Sequence, residues 1–281
     1  MPTDSPPASN LFSLSGKAAF VSGAAGHLGT AISTALALAG AHVFLNGRNA
    51  ERLESVRSEI NDKGGKVEVV AFDITDATAV DAALARIEDK AGRLDVIVNN
   101  AYSGRTGSLQ SAGDADYADA YRMAVTAPAM LLKAATPLLA RSSSPESMAS
   151  VINVASMYGW VSPDPAIYGD SGHNSPPHYG AAKGGLLQFT RYAAVHLAEK
   201  NIRVNAISPG AFPKPKVQDT MPELWAHLND KQPLKRVGRP EELQGVVLFL
   251  ASNASSYVTG VNIPVDGGWT AWWWGRKRLT S

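Results

Sequence analysis

Short apolar segments alternate along the chain with longer segments in which apolar residues recur every three or four positions. The short segments are rich in Val and Ile and are bounded by Gly, Asn, Asp or Pro, a pattern typical of buried strands. The longer segments have the period of amphipathic helices, as at 28–39, 50–63 and 77–90. The short segments predict seven strands, at residues 18–21, 42–45, 67–72, 96–98, 151–154, 204–207 and 262–265.

Strands that alternate with helices form βαβ units, whose right-handed crossovers make neighbouring strands parallel. The pattern therefore predicts an α/β fold with one doubly wound parallel sheet of about seven strands and helices on both faces. We expect a single domain over residues 14–269, preceded by a disordered leader at 1–13 and followed by a Trp-rich tail at 270–281. Two irregular stretches, 158–177 and 212–239, are interpreted as insertions within this domain.

The composition is that of an ordinary globular protein, with 45% hydrophobic and 18% charged residues among 281. A formal net charge of +1 gives no electrostatic basis for binding nucleic acid or an anionic membrane. No apolar run reaches the ~18 residues that a membrane span needs, and the N-terminus lacks the features of a signal peptide. The chain has no cysteine, which excludes disulfides and favours a cytoplasmic location.

A glycine-rich segment at 22–29 follows the first predicted strand and opens the first predicted helix. Glycines let a backbone approach a pyrophosphate closely, and the free N–H groups at a helix N-terminus attract anions. This position favours a dinucleotide site over a simple tight turn, which is the alternative. The residues expected to contact the cofactor here are Ser22, Gly23, Gly26, His27, Leu28 and Gly29.

The second predicted strand is followed by Gly47 and Arg48. Enzymes that bind NAD place a carboxylate near this point to bind the ribose 2′-hydroxyl, whereas an arginine can hold the 2′-phosphate of NADP. We therefore expect NADP as the cofactor, with NAD as the second choice. The alternative for Arg48 is a solvated charge at the start of a helix.

Further candidate residues follow the third and fourth predicted strands, where the sequence has Asp73-Ile74 and Asn99-Asn100-Ala101. Ligands of open parallel sheets bind at the carboxyl ends of the strands, so we expect Asp73, Ile74, Asn100 and Ala101 to line the cofactor site. Helix capping and turn formation are the alternative roles, since Asp and Asn suit both.

Tyr179 and Lys183 are four positions apart in a segment with helical periodicity, which places them on one face of a helix. An ammonium beside a phenol favours the phenolate, so we expect the pKa of Tyr179 to lie below its usual ~10. Such a tyrosine can exchange a proton with an alcohol or carbonyl oxygen. Ser156, at the end of an upstream apolar run, is the third catalytic candidate.

These motifs, in this order, resemble the short-chain dehydrogenase/reductase family over residues 14–269. The resemblance also includes Pro209-Gly210 and the C-terminal segments 257–260 and 265–268. It implies a single Rossmann-like domain, a nicotinamide cofactor and a homo-oligomer, often a tetramer.

The resemblance also implies a role for each catalytic residue. Ser156 would hold the substrate oxygen, and Tyr179 would be the acid or base. Lys183 would bind the nicotinamide ribose and lower the pKa of the tyrosine. Pro209 and Gly210 would border the nicotinamide, and Tyr179 and Lys183 would contact the cofactor as well.

Three positions depart from the family pattern. His27 stands where the middle glycine of the turn is usual, and it places a side chain beside the phosphates. Tyr102 stands where glycine usually follows Asn-Asn-Ala, and an aromatic ring there would narrow the pocket. Ala124 stands where an asparagine commonly organises water toward the lysine, and alanine offers no side-chain hydrogen bond.

Two tyrosines follow Ser156, at positions 168 and 179. Tyr168 has the spacing that is common in the family, but glycine stands four positions after it, whereas Tyr179 is followed by Lys183. We therefore assign catalysis to Tyr179 and interpret 162–177 as an inserted substrate-side loop.

The substrate-side loop contains many hydrogen-bonding side chains, which suit a polyhydroxylated substrate better than an acyl chain. We expect Tyr168 and His173 from this loop, together with Tyr102, to contact the substrate. The alternative is a solvent loop or a subunit contact, since loops are generally polar. No metal is expected, because His173 and His178 lack the close spacing of metal ligands.

The last part of the chain has four tryptophans, at 269 and 272–274. An exposed patch of this kind usually marks an interface, so we expect it to pack on a neighbouring subunit or to cover the pocket. Together with the apolar segments 246–250 and 257–265, it predicts a homo-oligomer, a tetramer or a dimer.

The sequence thus predicts an NAD(P)-dependent oxidoreductase that interconverts a secondary alcohol and a ketone by hydride transfer. A small sugar-like or polyhydroxylated molecule is the expected substrate, and a 3-oxoacyl thioester or another carbonyl compound is the first alternative. A dinucleotide-binding regulatory protein with weak turnover is an alternative of another class, which only Ala124 supports. Neither nucleic acid nor a membrane is an expected partner.

Overall fold

The computed structural model describes residues 11–169 and 174–271. Its strands are β1 Ala18–Val21, β2 His42–Gly47, β3 Lys66–Ala71, β4 Val96–Asn99, β5 Ala149–Val154, β6 Ile202–Pro209 and β7 Asn262–Val265. They form one sheet in the order β3-β2-β1-β4-β5-β6-β7, and every neighbouring pair is parallel. The strand order reverses between β1 and β4, which is the point where open parallel sheets bind ligands.

The helices connect these strands and cover both faces of the sheet, as the α/β prediction requires. They are α1 His27–Leu38, α2 Ala50–Asp62, α3 Ala77–Ala91, α4 Asp114–Tyr121, α5 Ala127–Ser142, α6 Pro177–Leu197, α7 Lys216–Thr220, α8 Pro222–Lys231 and α9 Gln244–Ala251. Short 3₁₀ turns lie at Met157–Gly159, Pro165–Ile167, Ala198–Lys200, Pro240–Leu243, Asn253–Ser255 and Trp269–Ala271.

The predicted α/β fold with a single parallel sheet is confirmed, and each of the seven predicted strands is present. The first and last strands have the predicted bounds, while the others shift or extend by one or two residues. β2 continues to Gly47, and hydrogen bonds from the Asn46 side chain join the end of β2 to the end of β3. The Asn46 side-chain amide donates to the carbonyl oxygens of Val70 and Phe72, both at 3.1 Å.

The sheet is buried on both faces, since every residue of β1, β4, β5 and β6 is buried. Neighbouring residues of β2 point to opposite faces, as the pleat requires. Val43 packs in the layer that contains Ile32 of α1, whereas Phe44 packs in the layer that contains Leu131 of α5. Each such buried side chain stabilises the fold by roughly 1.5–3 kcal/mol. The carboxyl ends of these strands therefore extend from a packed, buried sheet.

The long helical segment that contains Ala124 is not uniform. A π-helical turn at Arg122–Thr126 joins α4 to α5 and places Ala124 in the core. By length and composition the joined helix 114–142 is apolar enough to cross a membrane, but half of its most apolar window is buried inside the fold. Leu131 and Leu138 are among the side chains that pack against the sheet.

The expectation of an irregular stretch at 212–239 is wrong in part, because α7 and α8 lie within it. Pro222 begins α8, where its missing N–H would have had no intrahelical partner. Leu228 is buried, and Leu224 and Trp225 are partly buried beside it. This apolar face has helical spacing, but it extends over little more than one turn, which is too short to predict a helix.

Among the described residues of the stretch 158–177, the helical elements are short 3₁₀ turns, until α6 begins at Pro177. Apolar packing and two polar contacts among its described residues hold this stretch to α8. Asp164 forms an ion pair with Lys231, and Nδ1 of His227 lies 3.0 Å from the carbonyl oxygen of Ile167. The substrate-side loop and α8 therefore form one wall.

The N-terminal leader and the C-terminal tail lie outside the described residues, except for residues 11–13 and 270–271. Trp269, the first of the four tryptophans, is 2% exposed and packs with Met157 and Leu228 of its own chain. This tryptophan needs no neighbouring subunit to be buried.

Candidate active site

β1 ends in a turn whose glycines leave no room for side chains. Gly23 has a positive φ of 65°, and a Cβ on it would lie 2.9 Å from the Cα of Ala101. A Cβ on Gly29 would overlap the carbonyl oxygen of Gly23. α1 then begins after Gly26, which provides no side-chain cap, so the first N–H groups of the helix are available to an anion. The turn therefore fits the pyrophosphate of a dinucleotide.

Ser22 and Asn100 fix the shape of this cradle. The Ser22 hydroxyl oxygen accepts hydrogen bonds from the backbone N–H of Asn100 at 3.0 Å and of Ala101 at 3.1 Å. In return, the Asn100 amide donates to the carbonyl oxygens of Ser22 at 3.1 Å and Gly23 at 3.0 Å. The ends of β1 and β4 are thus tied together, which holds the glycine turn in place.

A cavity of about 420 Å³ extends from the glycine turn across the ends of β2, β3 and β4. Most of the residues predicted to bind the cofactor meet here. Those that line it are Gly23, Gly26, His27, Leu28, Arg48, Asp73, Ile74, Asn100 and Ala101. The sequence pattern thus placed them correctly around one cavity, although their contacts with a cofactor remain a prediction.

Arg52 also lines this cavity and was missed from the sequence. Its guanidinium donates to the carbonyl oxygen of Ala25 at 3.4 Å, which holds it beside the glycine turn. It stands one helical turn after Arg48, and Asn49 caps the helix between them by accepting from the Arg52 N–H at 2.9 Å. The available signal was a second arginine in the first turn of the predicted helix, four residues after Arg48.

Asp73 is an ionised turn residue at the edge of the cavity. Its carboxylate accepts from the backbone N–H of Thr75 at 2.9 Å and from the Thr75 hydroxyl at 2.8 Å. The Thr75 N–H bond, with further help from Arg48 and Arg122, lowers the pKa of Asp73 below its usual value. The carboxylate is therefore charged at neutral pH.

His27 adds no charge beside the phosphate cradle at neutral pH. Loss of solvent around the imidazole lowers the pKa of His27, and the nearby Lys214 lowers it further. The histidine therefore contributes a neutral ring to the first turn of α1. His27 lines the nucleotide cavity, and its expected position beside the phosphates remains a prediction.

Two glycines of α6 allow the catalytic groups to meet. A Cβ on Gly180 would lie 2.8 Å from the carbonyl oxygen of Tyr158, and one on Gly184 would lie 3.0 Å from that of Gly159. These positions follow Tyr179 and Lys183 directly in the chain. The close packing brings the turn after β5, which begins at Ser156, against the first turns of α6.

Ser156 and Tyr179 line the same small cavity. The predicted lowering of the Tyr179 pKa is wrong for the protein alone, because burial of the hydroxyl raises that pKa above 10. The nearby Ser156 hydroxyl lowers the pKa of Tyr179, but its effect is smaller than that of burial. The sequence argument considered the lysine and neglected the loss of solvent around the phenol.

Lys183 is 4% exposed and donates from Nζ to the carbonyl oxygen of Val154 at 2.6 Å. Burial lowers the pKa of Lys183 to about 8, because a buried ammonium is poorly solvated. At pH 7 Lys183 is therefore still protonated in most molecules. Its Nζ lies 5.8 Å from the centre of the Tyr179 ring.

A second cavity, of about 230 Å³, lies in front of these groups. Ser156, Tyr179 and Lys183 line it, as do Pro209 and Gly210. It shares Leu28, Asn100 and Tyr102 with the nucleotide cavity, so the two cavities adjoin at these side chains.

The three residues predicted to contact the substrate do not lie together in one described site. Tyr102 lines both cavities. Tyr168 packs with Tyr158 in the apolar cluster around Trp269, and burial raises the pKa of its hydroxyl. His173 lies outside the described residues. His178 is buried, with its ring against Tyr117.

Ala124 is 2% exposed and belongs to an apolar cluster with Ala155 and Leu186. We expect Ala124→Asn to lower the free energy of unfolding by ~1–3 kcal/mol, because an amide must be forced into a packed apolar site. Urea unfolding measures this loss. Ala118→Asn, at an exposed position of α4, is the matched control and should cost well under 1 kcal/mol. Equal losses in the two variants would contradict the expectation.

The chain is similar in sequence to known reductases and dehydrogenases. A family model described as enoyl-(acyl carrier protein) reductase matches residues 23–270. The chain is 32% identical to the 3-oxoacyl-[acyl-carrier-protein] reductase FabG of Thermotoga maritima, over 91% of this chain and 98% of that protein. It is 34% identical to the gluconate 5-dehydrogenase of Gluconobacter oxydans, over 93% of this chain and 97% of that protein.

Among solved structures, the fold is similar to a gluconate 5-dehydrogenase from Burkholderia cenocepacia in complex with NADP and tartrate. The TM-score is 0.83 at 26% identity, with 95% of this chain and 100% of that chain covered. The similarity therefore includes the segments that form both cavities.

Proposed function

The chain belongs to the short-chain dehydrogenase/reductase family of NAD(P)-dependent oxidoreductases, and we propose that it interconverts a secondary alcohol and a ketone in a small sugar acid. NADP is the proposed cofactor. The observation that carries the proposal is the Ser156–Tyr179 hydroxyl pair, which stands beside a buried Lys183 where the two cavities adjoin.

The two hydroxyls divide the work at the substrate oxygen. In the reduction, Ser156 donates a hydrogen bond to the carbonyl oxygen, and Tyr179 transfers its proton to that oxygen as negative charge develops. In the oxidation, Tyr179 takes the proton from the alcohol. When bound, the nicotinamide cofactor supplies or accepts the hydride. Lys183 favours the phenolate form of Tyr179 and thereby eases both proton transfers.

The cation distribution supports NADP. Arg48 and Arg52 both line the nucleotide cavity, and Gly47 occupies the end of β2, where a carboxylate would favour NAD. Two guanidinium groups next to the start of α2 suit a 2′-phosphate, which is a dianion with three acceptor oxygens.

The names of similar proteins support a small sugar acid as the substrate. Relatives named for gluconate and keto-gluconate activity, at 33–34% identity, point to a sugar acid. The similarity to FabG keeps a 3-oxoacyl thioester as the second candidate.

A turnover screen of the purified protein tests the proposed function. NADPH and NADH are each offered with 5-keto-gluconate, simple keto acids and a 3-oxoacyl thioester. We expect oxidation of NADPH with the keto sugar acid to be fastest. Faster turnover of the thioester would favour the second candidate. Cofactor binding without turnover of any carbonyl would indicate the regulatory alternative.

We also propose a symmetric homo-oligomer, a tetramer or a dimer. The outer face of α6 supports this, because Tyr192 is 60% and Val195 74% exposed there. Large exposed apolar side chains of this kind favour burial between subunits. Light scattering at micromolar concentration should give the mass of an oligomer, and the double variant Tyr192→Glu, Val195→Glu should lower it. A wild-type chain that stays monomeric would contradict this.

A further inference from the structure

Lys183 holds a positive charge in a place with little to stabilise it. Its Nζ has three N–H donors, and one of them reaches the Val154 carbonyl oxygen. Among residues 11–169 and 174–271, no carboxylate forms an ion pair with it. A buried ammonium without an anion requires another favourable contact if it is to stay charged.

The ring of Tyr102 provides such a contact. Nζ of Lys183 lies 5.1 Å from the centre of the ring, which is within the ~6 Å range of a cation–π interaction. The Tyr102 ring is closer to this charge than the Tyr179 ring, at 5.8 Å. The negative face of an aromatic ring stabilises an ammonium without bringing a second proton acceptor into the site.

Packing holds the Tyr102 ring in this orientation. It meets the Tyr179 ring nearly edge to face, with centroids 5.0 Å apart and an interplanar angle of 69°. Its hydroxyl is buried and has no hydrogen-bond partner among the described residues. Gly104 makes room for this hydroxyl, since a Cβ there would lie 2.6 Å from it. The hydroxyl therefore contributes little, and the ring is the part that matters.

We propose that Tyr102 is a positioning residue whose ring face keeps the Lys183 ammonium charged and in place beside Tyr179. This rests on the proposed function only in that Lys183 serves the proton transfer. Ala124 is consistent with it, because the neighbouring helix provides no polar side chain at that position.

The unfolding equilibrium of the protein without ligand tests the contact. Tyr102→Leu removes the ring, whereas Tyr102→Phe keeps it and removes only the hydroxyl. At pH 7 we expect the Leu variant to have a larger unfolding equilibrium constant than the Phe variant. The lost cation–π contact should account for about fivefold to tenfold of this difference, and the change in packing for the rest. In a Lys183→Met background this part should vanish, and only the packing difference should remain.

The sign of the pH dependence follows from the same contact. In the described part of the chain, the titratable groups that face Nζ are Tyr102 and Tyr179, and burial raises the pKa of both, that of Tyr102 to about 12. Both stay neutral between pH 7 and 9.5, while Lys183 loses its proton near pH 8. The Leu–Phe difference should therefore shrink at pH 9.5. A packing defect alone would not change with pH.

The pH dependence of the kinetics is an independent test of the contact between Tyr102 and Lys183. Without the ring, Lys183 loses its proton at lower pH, so the high-pH decline of kcat/KM should move down by about one pH unit in Tyr102→Leu relative to Tyr102→Phe. A Leu–Phe difference that is equal in the wild-type and Lys183→Met backgrounds, and unchanged between pH 7 and 9.5, would overturn the proposal. If the wild type turns over no carbonyl, the proposed function fails, but the unfolding measurements still decide the role of Tyr102.

Discussion

Replacement of Tyr179 by phenylalanine is expected to lower kcat by about a hundredfold or more, the usual scale for loss of a general acid or base. The ring and its packing against Tyr102 remain, so the fold and the shape of the cavity should be kept. Only the hydroxyl group, which carries the proton, is removed. Steady-state kinetics with NADPH measure the loss, and fluorescence titration should show nearly unchanged NADPH affinity.

Tyr168→Phe is the matched control for this prediction. It removes a hydroxyl of the substrate-side loop, but Tyr168 has no lysine one turn away. We expect a change in KM at most. Near-normal turnover in Tyr179→Phe together with an inactive Tyr168→Phe would reverse the assignment of the two tyrosines.

Arg48→Ala is expected to weaken NADPH binding by ~1.5–3 kcal/mol, or roughly tenfold to 150-fold, with little effect on NADH. One charge-assisted hydrogen bond to the 2′-phosphate is then lost. Arg52→Ala should act in the same direction, because its guanidinium lines the same cavity. Isothermal titration with both cofactors measures the ratio of the two affinities.

Arg57→Ala is the control for a general loss of positive charge on α2. Arg57 is exposed and paired with Glu54 in the same helix, and it does not line the nucleotide cavity. It should leave both affinities unchanged. Equal losses of NADPH and NADH affinity in Arg48→Ala would show that this arginine does not read the 2′-phosphate.

The sheet and much of the site could be predicted from the sequence, because both depend on local patterns. Buried parallel strands are short runs of Val and Ile, and the residues that follow them meet at one edge. This is why Gly23, Asp73 and Asn100 line one cavity although they are far apart in the chain. The helical spacing of Tyr179 and Lys183 likewise predicts that they share one face of α6.

Other features depend on contacts between distant segments and leave little local signal. Burial sets the direction of the Tyr179 pKa, and burial is a property of the whole fold. The apolar face of α8, formed by Leu224, Trp225 and Leu228, extends over little more than one turn, so its pattern is too short to predict a helix. The contact between Tyr102 and Lys183 joins the end of β4 to α6, and neither segment alone indicates the other.

The most direct test of the proposed reaction follows the hydrogen itself. The purified protein is incubated with 5-keto-gluconate and NADPH that has deuterium at C4, each C4 diastereomer in a separate reaction, and the sugar acid product is examined by mass spectrometry. We expect one deuterium on the newly formed carbinol carbon from one diastereomer and none from the other. A Tyr179→Phe sample should yield about a hundredfold less labelled product in the same time. Consumption of the keto acid without label from either diastereomer, or no consumption at all, would contradict hydride transfer from NADPH to this substrate.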